Sequence, residues 1–143
     1  MAILPRPRLS KSPALRRVMV VEDDAIQGLA IEQALLDHGI EEVEICPSTA
    51  CSLSKLRARK FDAVVLDVHL ADSDEGWEIA ELIDAVGGEK TQIIFQTGSP
   101  EEIPERIRRL GSVLRKPYDP AELIGALTAP RPRLLGRLRQ RQQ

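Results

Sequence analysis

Five short apolar runs recur along this chain, and stretches with helical spacing separate them. The runs are Val18-Met19-Val20-Val21, Val43 with Ile45, Val64-Val65-Leu66, Ile93-Ile94-Phe95 and Ser112-Val113-Leu114. Rich in branched residues and bounded by turn formers, they read as strands; near-continuous apolar runs are the mark of strands buried on both faces of a parallel sheet. Val43 and Ile45 alternate with Glu42 and Glu44, so that strand belongs near a sheet edge. Strand and helix alternating five times at short intervals predicts an α/β fold, a doubly wound parallel sheet with right-handed crossovers and helices on both faces.

The helical stretches carry their own signals. From Ala25, the residues Ile26, Leu29, Ala30, Ala34 and Leu35 recur at three- and four-residue spacing, predicting an amphipathic helix closed by Gly39 as a left-handed cap. Ser48 or Thr49 can cap a second helix with an apolar face of Ala50, Leu53, Leu56 and Ala58. A loop from Ala71 to Glu75 precedes a third helix with Trp77, Ile79, Ala80, Leu82 and Ile83, stopped at Gly87-Gly88. Pro100 and Pro104 make the fourth element short or irregular at its start. The last helix runs from about Pro120 to Leu127, and Pro130 ends it.

A chain of 143 residues fits one domain and can bury roughly two-thirds of its unfolded surface without staples. The net charge of −2 hides an asymmetry: residues 1–17 hold five basic side chains and residues 130–143 five Arg, neither with an acid. Between them, residues 18–129 carry 10 basic and 22 acidic side chains, a net charge of −12. The expected organisation is a basic tail (1–14), one folded body (15–128) and an Arg-rich tail (129–143). The tails read as disordered, either solvated ends or attractants for nucleic acid, a membrane surface or an acidic partner. No apolar run approaches the roughly 18 residues needed to span a bilayer, and no secretion signal follows the early basic residues. Two cysteines, Cys46 and Cys51, suggest a reducing compartment and buried free thiols, with a regulatory disulfide as the alternative.

Ligands in open parallel sheets bind outside the carboxyl ends of the strands, so the residues at those ends carry the functional reading. They are Glu22 and Asp23 after the first strand, Asp67 after the third, Thr97 after the fourth and Lys116 after the fifth. Each has an ordinary explanation alone: acids opening a helix or a turn, a threonine cap, a surface lysine. Together they put three carboxylates, a hydroxyl and an ammonium on one rim. Clustered acids repel one another, and a hard dication such as Mg2+ relieves that repulsion. A carboxylate beside Mg2+ can attack a phosphoryl group, while the metal, a lysine and a hydroxyl neutralise the transferring oxygens.

This ordered set resembles the receiver domain of two-component response regulators, over about residues 15–128. The matching pieces are Glu22-Asp23, Asp67, Thr97-Gly98 and Lys116-Pro117. The resemblance implies a flavodoxin-like sheet of order 2-1-3-4-5 with five helices. It implies that Glu22, Asp23 and Asp67 hold Mg2+, joined by the backbone carbonyl of His69. It further implies phosphotransfer to Asp67 from a sensor histidine kinase or histidine phosphotransferase, assisted by Thr97 and Lys116, with a cis bond before Pro117. The expected protein is cytoplasmic, has no DNA-binding domain and no enzymatic activity beyond its own phosphorylation and dephosphorylation, and acts on an unidentified downstream protein; a dimer stays open.

Departures from the family pattern are informative. Val113 stands where most receivers have a switch aromatic, and Ala71 where many have Pro. Phe95-Gln96-Thr97-Gly98 resembles the Phe-Ala-Thr-Gly motif of alphaproteobacterial single-domain receivers, which also lack that aromatic, although Gln96 and Ser99 differ from the subgroup. The His69 side chain reads as positional, since it lacks the companion ligands of a zinc site, and His38 as structural at a helix end. Two other readings remain. An aspartyl-nucleophile phosphatase would carry a second Asp at the position of His69, and a phosphorylation-independent binding module would not need the intact rim. Nucleotide binding has no Gly-rich loop after the first strand to support it.

Overall fold

A computed structural model describes residues 15–69, 77–86 and 91–129. Five strands form the sheet: β1 (Arg17–Val21), β2 (Glu42–Cys46), β3 (Ala63–Asp67), β4 (Gln92–Thr97) and β5 (Ser112–Arg115). All pairings are parallel and the order is β2-β1-β3-β4-β5, the expected flavodoxin-like topology. Five helices connect them: α1 (Ala25–His38), α2 (Thr49–Ala58), α3 (Trp77–Val86), α4 (Glu105–Arg108) and α5 (Pro120–Thr128). A 3-10 turn over Pro100–Glu102 precedes α4, which has only four residues, because Pro100 and Pro104 interrupt the backbone hydrogen bonding there. The two tails, the 71–75 loop with Ala71, and Gly87-Gly88 lie outside the described residues.

Strand pleating sends alternate side chains to two cores. Met19, Val21, Val64, Leu66, Ile93 and Phe95 pack with α3 and with Ile103 and Ile107 of the α4 region. Val18, Val20, Ala63, Val65 and Ile94 pack with Ile31 and Leu35 of α1 and Leu123 and Leu127 of α5. β1, β3 and β4 are buried along nearly their whole length, while β2 is half-exposed at the edge, as its alternation predicts.

The caps at Ser48 and Gly39 form as expected, and Asp24 caps α1, which the sequence reading did not single out. Asp24 accepts from the backbone N–H groups of Ile26 and Gln27, and Ser48 from Cys51. Gly39 closes α1 at φ 107°, a conformation that other residues strain to adopt. Gly111 is needed for a different reason: a Cβ there would meet the Ile93 carbonyl oxygen at 2.2 Å, so the turn into β5 lies directly against β4.

The face of α1 differs from the expected one. Gly28, Ile31 and Leu35 are buried, whereas Ile26 is 81% and Leu29 59% exposed. The helix is rotated so that Gly28 faces Ile45 and Glu22, at distances where even a Cβ would make ordinary contact, and apolar periodicity does not register this. In α2 likewise, Ala50 and Ala58 face solvent, while Thr49 and Ser52 are buried and Leu53 and Leu56 pack at the core margin. No helix among the described residues is long and apolar enough to cross a membrane.

Candidate functional site

Parallel strands end together, so the sheet assembles the site from residues remote in sequence. Register pairs Val21 with Cys46 and with Leu66, Asp67 with Gln96, and Thr97 with Arg115. The residues at or just beyond those ends, Glu22, Asp23, Asp67, Thr97 and Lys116, therefore share one edge.

Glu22, Asp23 and Asp67 each offer a carboxylate oxygen within 4.8 Å of the others. Glu22 and Asp67 are buried and Asp23 is exposed. Lys116 lies between the two buried acids, its Nζ 3.1 Å from Glu22 Oε1 and 3.1 Å from Asp67 Oδ2. The other Asp67 oxygen, Oδ1, accepts from the backbone N–H of His69 at 3.0 Å.

One ammonium does not balance three acids. Burial, and then the neighbouring Asp67 carboxylate, push the Glu22 carboxyl from 4.5 up to about 7 despite Lys116. For Lys116, burial works against the charge, but Asp67 and Glu22 outweigh it and hold the ammonium above its ordinary range. The cluster thus retains uncompensated negative charge, with Asp23 open to solvent beside it. Hard oxygen donors in that state fit Mg2+.

Thr97 is buried; its Oγ1 accepts from the Ser99 N–H at 3.0 Å, and its carbonyl accepts from the Lys116 N–H at 2.8 Å. The peptide bond between Lys116 and Pro117 is cis. His69 holds Asp67 through its backbone, while its ring is about half exposed and lies 3.6 Å from Glu102. His38 is the exposed last residue of α1.

Two residues of the site escape the strand-end reading. Gln96, fully buried in β4, donates from Nε2 to Glu22 Oε1 at 3.1 Å. Its Oε1 accepts from the Tyr118 hydroxyl at 2.5 Å. Burial and then the two carboxylates push the Tyr118 phenol above its usual value, so it stays a donor. The signal was present in the sequence: an amide inside a buried strand demands partners for both ends. Its partners could not be named from there, because they arrive from the turn after β1 and from the loop after β5. Beside this chain of bonds is a mostly apolar cavity of about 450 Å3, lined by Ala30, Ile31 and Ala34 of α1, by Pro117 and Tyr118, and by Leu123 of α5.

Comparison with known proteins follows the same lines. The profile of the response regulator receiver domain matches residues 18–128. Among solved structures, the chemotaxis response regulator CheY4 of Vibrio cholerae is 26% identical, with a TM-score of 0.67 over 80% of this chain and 97% of that one. SdrG from Sphingomonas melonis Fr1 is 25% identical, with a TM-score of 0.67 over 79% of this chain and 93% of that one. The receiver domain of sensor histidine kinase PA1611 from Pseudomonas aeruginosa PAO1, which has a magnesium ion coordinated in its active-site cleft, is 24% identical, with a TM-score of 0.66 over 80% of this chain and 95% of that one. Comparison with curated protein sequences gives no match.

Proposed function

The chain belongs to the response regulator receiver domain family, and we propose that it is a stand-alone, cytoplasmic receiver phosphorylated on Asp67 by a sensor histidine kinase or histidine phosphotransferase. Receivers are signalling modules of two-component systems rather than enzymes in the usual sense. The observation that carries the reading is the Lys116 ammonium placed 3.1 Å from both Asp67 and Glu22, with Asp23 completing the acidic cluster.

In this reading an Asp67 carboxylate oxygen attacks the phosphorus of a phosphohistidine. A P–O bond forms, the P–N bond breaks, and the imidazole leaves with the bonding pair. Glu22, Asp23, Asp67 and the backbone carbonyl of His69 would hold Mg2+, which supplies charge neutralisation to the phosphoryl oxygens. Lys116 offers its ammonium to a phosphoryl oxygen once Asp67 carries the acyl phosphate. Thr97 uses its oxygen to accept from Ser99, which leaves its own proton to donate. The magnesium in the Pseudomonas receiver supports the assignment of the metal.

The Asp67→Ala variant is expected to lose labelling by acetyl phosphate in Mg2+ entirely. Undiminished labelling of that variant would overturn the assignment.

The phosphorylated state is proposed to be read through protein contacts or spent as a phosphate shuttle or sink. Its signal passes through Thr97 into residues 98–111, by order or position and not by an aromatic flip, because position 113 is a valine. The interrupted backbone of that segment supports this. Hydrogen exchange at 98–111 is expected to slow when a beryllofluoride mimic is added, and unchanged protection there would refute the route. The motif Phe95-Gln96-Thr97-Gly98 together with Val113 also places the chain, in this proposal, beside the Phe-Ala-Thr-Gly single-domain receivers. Gln96 sets it apart within them, since an alanine could not bridge Glu22 and Tyr118.

A further inference from the structure

Cys46 ends β2 and is fully buried, while Cys51 lies in the first turn of α2 and is partly exposed. Both thiols are free, yet their Sγ atoms are only 2.8 Å apart. Their backbones are fixed independently of that contact. Cys46 belongs to the β1–β2 ladder, paired with Val21. The Cys51 N–H is bound by Ser48 Oγ at 3.2 Å, and the buried Ser52 hydroxyl donates to the Ser48 carbonyl at 2.8 Å. The strand end and the helix start therefore present the two sulfurs to each other, and a small approach brings them to the bonding distance of about 2.05 Å. The Lys55 ammonium, one turn further along α2 and paired with Glu44 at 3.1 Å, is near enough to act electrostatically on both sulfurs. A helix N-terminus and a nearby cation are the surroundings in which the partly exposed Cys51 sulfur reacts with oxidants, whereas burial pushes the Cys46 thiol up to about 12.

We propose that Cys46 and Cys51 form an oxidant-reactive dithiol that takes hydroperoxides as substrates and closes reversibly to an intramolecular disulfide. Access assigns the roles. The Cys51 sulfur attacks the outer peroxide oxygen, the O–O bond breaks, and the thiol proton leaves with the departing oxygen as water or alcohol. This makes the Cys51 sulfenic acid. The buried Cys46 sulfur then attacks the Cys51 sulfur, the S–S bond forms, and the sulfenic oxygen leaves as water with the Cys46 proton. Two thiols lose two protons and two electrons, and one hydroperoxide is reduced. A dithiol such as thioredoxin or dithiothreitol reverses the step by exchange. The crosslink would tie α2 to the end of β2, where the Cys46 carbonyl accepts the Glu22 N–H at 3.0 Å, one backbone hydrogen bond from the acidic rim. The inference goes beyond the phosphoacceptor reading and does not rest on it.

The test uses the full chain, reduced, then treated with hydrogen peroxide, quenched and alkylated with N-ethylmaleimide. Trypsin leaves both cysteines on one peptide, Val18–Lys55. That peptide is expected to be two hydrogens lighter and to take up no maleimide, and to accept two after dithiothreitol. Cys46→Ser is expected to stop at the sulfenic acid, trapped on Cys51 by dimedone; Cys51→Ser, which keeps only the buried thiol, is expected to take none. Two maleimides on the oxidant-treated native peptide, or disulfide-linked dimers through Cys51 in place of the internal bond, would overturn the proposal. The native-chain measurement decides the matter even if a variant fails to fold.

Discussion

The two faces of the sheet meet the acidic rim on different terms. On the face covered by α2, α3 and α4, Phe95 and Val113 stand opposite each other in register and pack with Ile103 and Ile107. The side chains that Phe95 and Val113 meet there are apolar. On the face covered by α1 and α5, the next residue of β4 is Gln96, and a chain of hydrogen bonds runs from Glu22 through Gln96 to Tyr118. The site does have an aromatic hydroxyl linked to it, but that hydroxyl sits two residues beyond Lys116 and on the opposite face. One face is held by packing, and the other is connected to the charge of the site.

Substitutions can break this contrast. The largest loss of stability is expected on the packed face. Phe95→Ala should cost about 3–5 kcal/mol in urea unfolding, because a wholly buried ring leaves a cavity that the sheet cannot close. The Mg2+ dependence of Asp67 labelling should stay as it was in the folded fraction. If that dependence shifts with Phe95, the packed face is coupled to the rim and the contrast fails.

Gln96→Leu removes the bridge while keeping most of the volume. It should cost roughly 1–3 kcal/mol, since the Tyr118 hydroxyl is left without its acceptor and Glu22 without one of its donors. Unlike Phe95→Ala, it should also alter the Mg2+ concentration needed for half-maximal labelling. An unchanged Mg2+ midpoint would reduce the bridge to a structural tie.

Titration sharpens the same point with a smaller effect. The Glu22 carboxyl, raised from 4.5 to about 7, binds its proton more tightly in the folded chain than in the unfolded one. The metal-free protein should therefore lose stability as pH rises from 4.5 to 7 and change little from this group above that window. The loss is expected to be on the order of 1–2 kcal/mol once screening at the solvent-facing rim is allowed for. Mg2+ should restore the thermal midpoint above pH 7 and do little near pH 4.5. A metal-free midpoint that rises across this window would show that Glu22 is not the group that matters.

Much of this molecule is legible in its sequence because the relevant rules are local. Alternating apolar runs and amphipathic stretches have periods that a single chain displays, and they imply the five strands, the helices between them and the interrupted fourth element. Caps at Ser48 and Gly39 follow from backbone chemistry within a few residues. The rim was legible for a topological reason: in a parallel sheet the residues ending each strand must share an edge, so Glu22, Asp23, Asp67, Thr97 and Lys116 could be gathered before any distance was known.

Contacts between elements that share no local rule were decided only by the tertiary structure. The rotation of α1 turns Gly28 toward Ile45 and Glu22 and leaves Ile26 and Leu29 in solvent against the periodicity. The partners of Gln96 come from two other elements, 74 residues before it and 22 after it. The meeting of Cys46 with Cys51 depends on how the end of β2 turns into α2. In each case the deciding quantity is a distance across packed elements, and sequence spacing carries no information about that distance until the sheet is assembled.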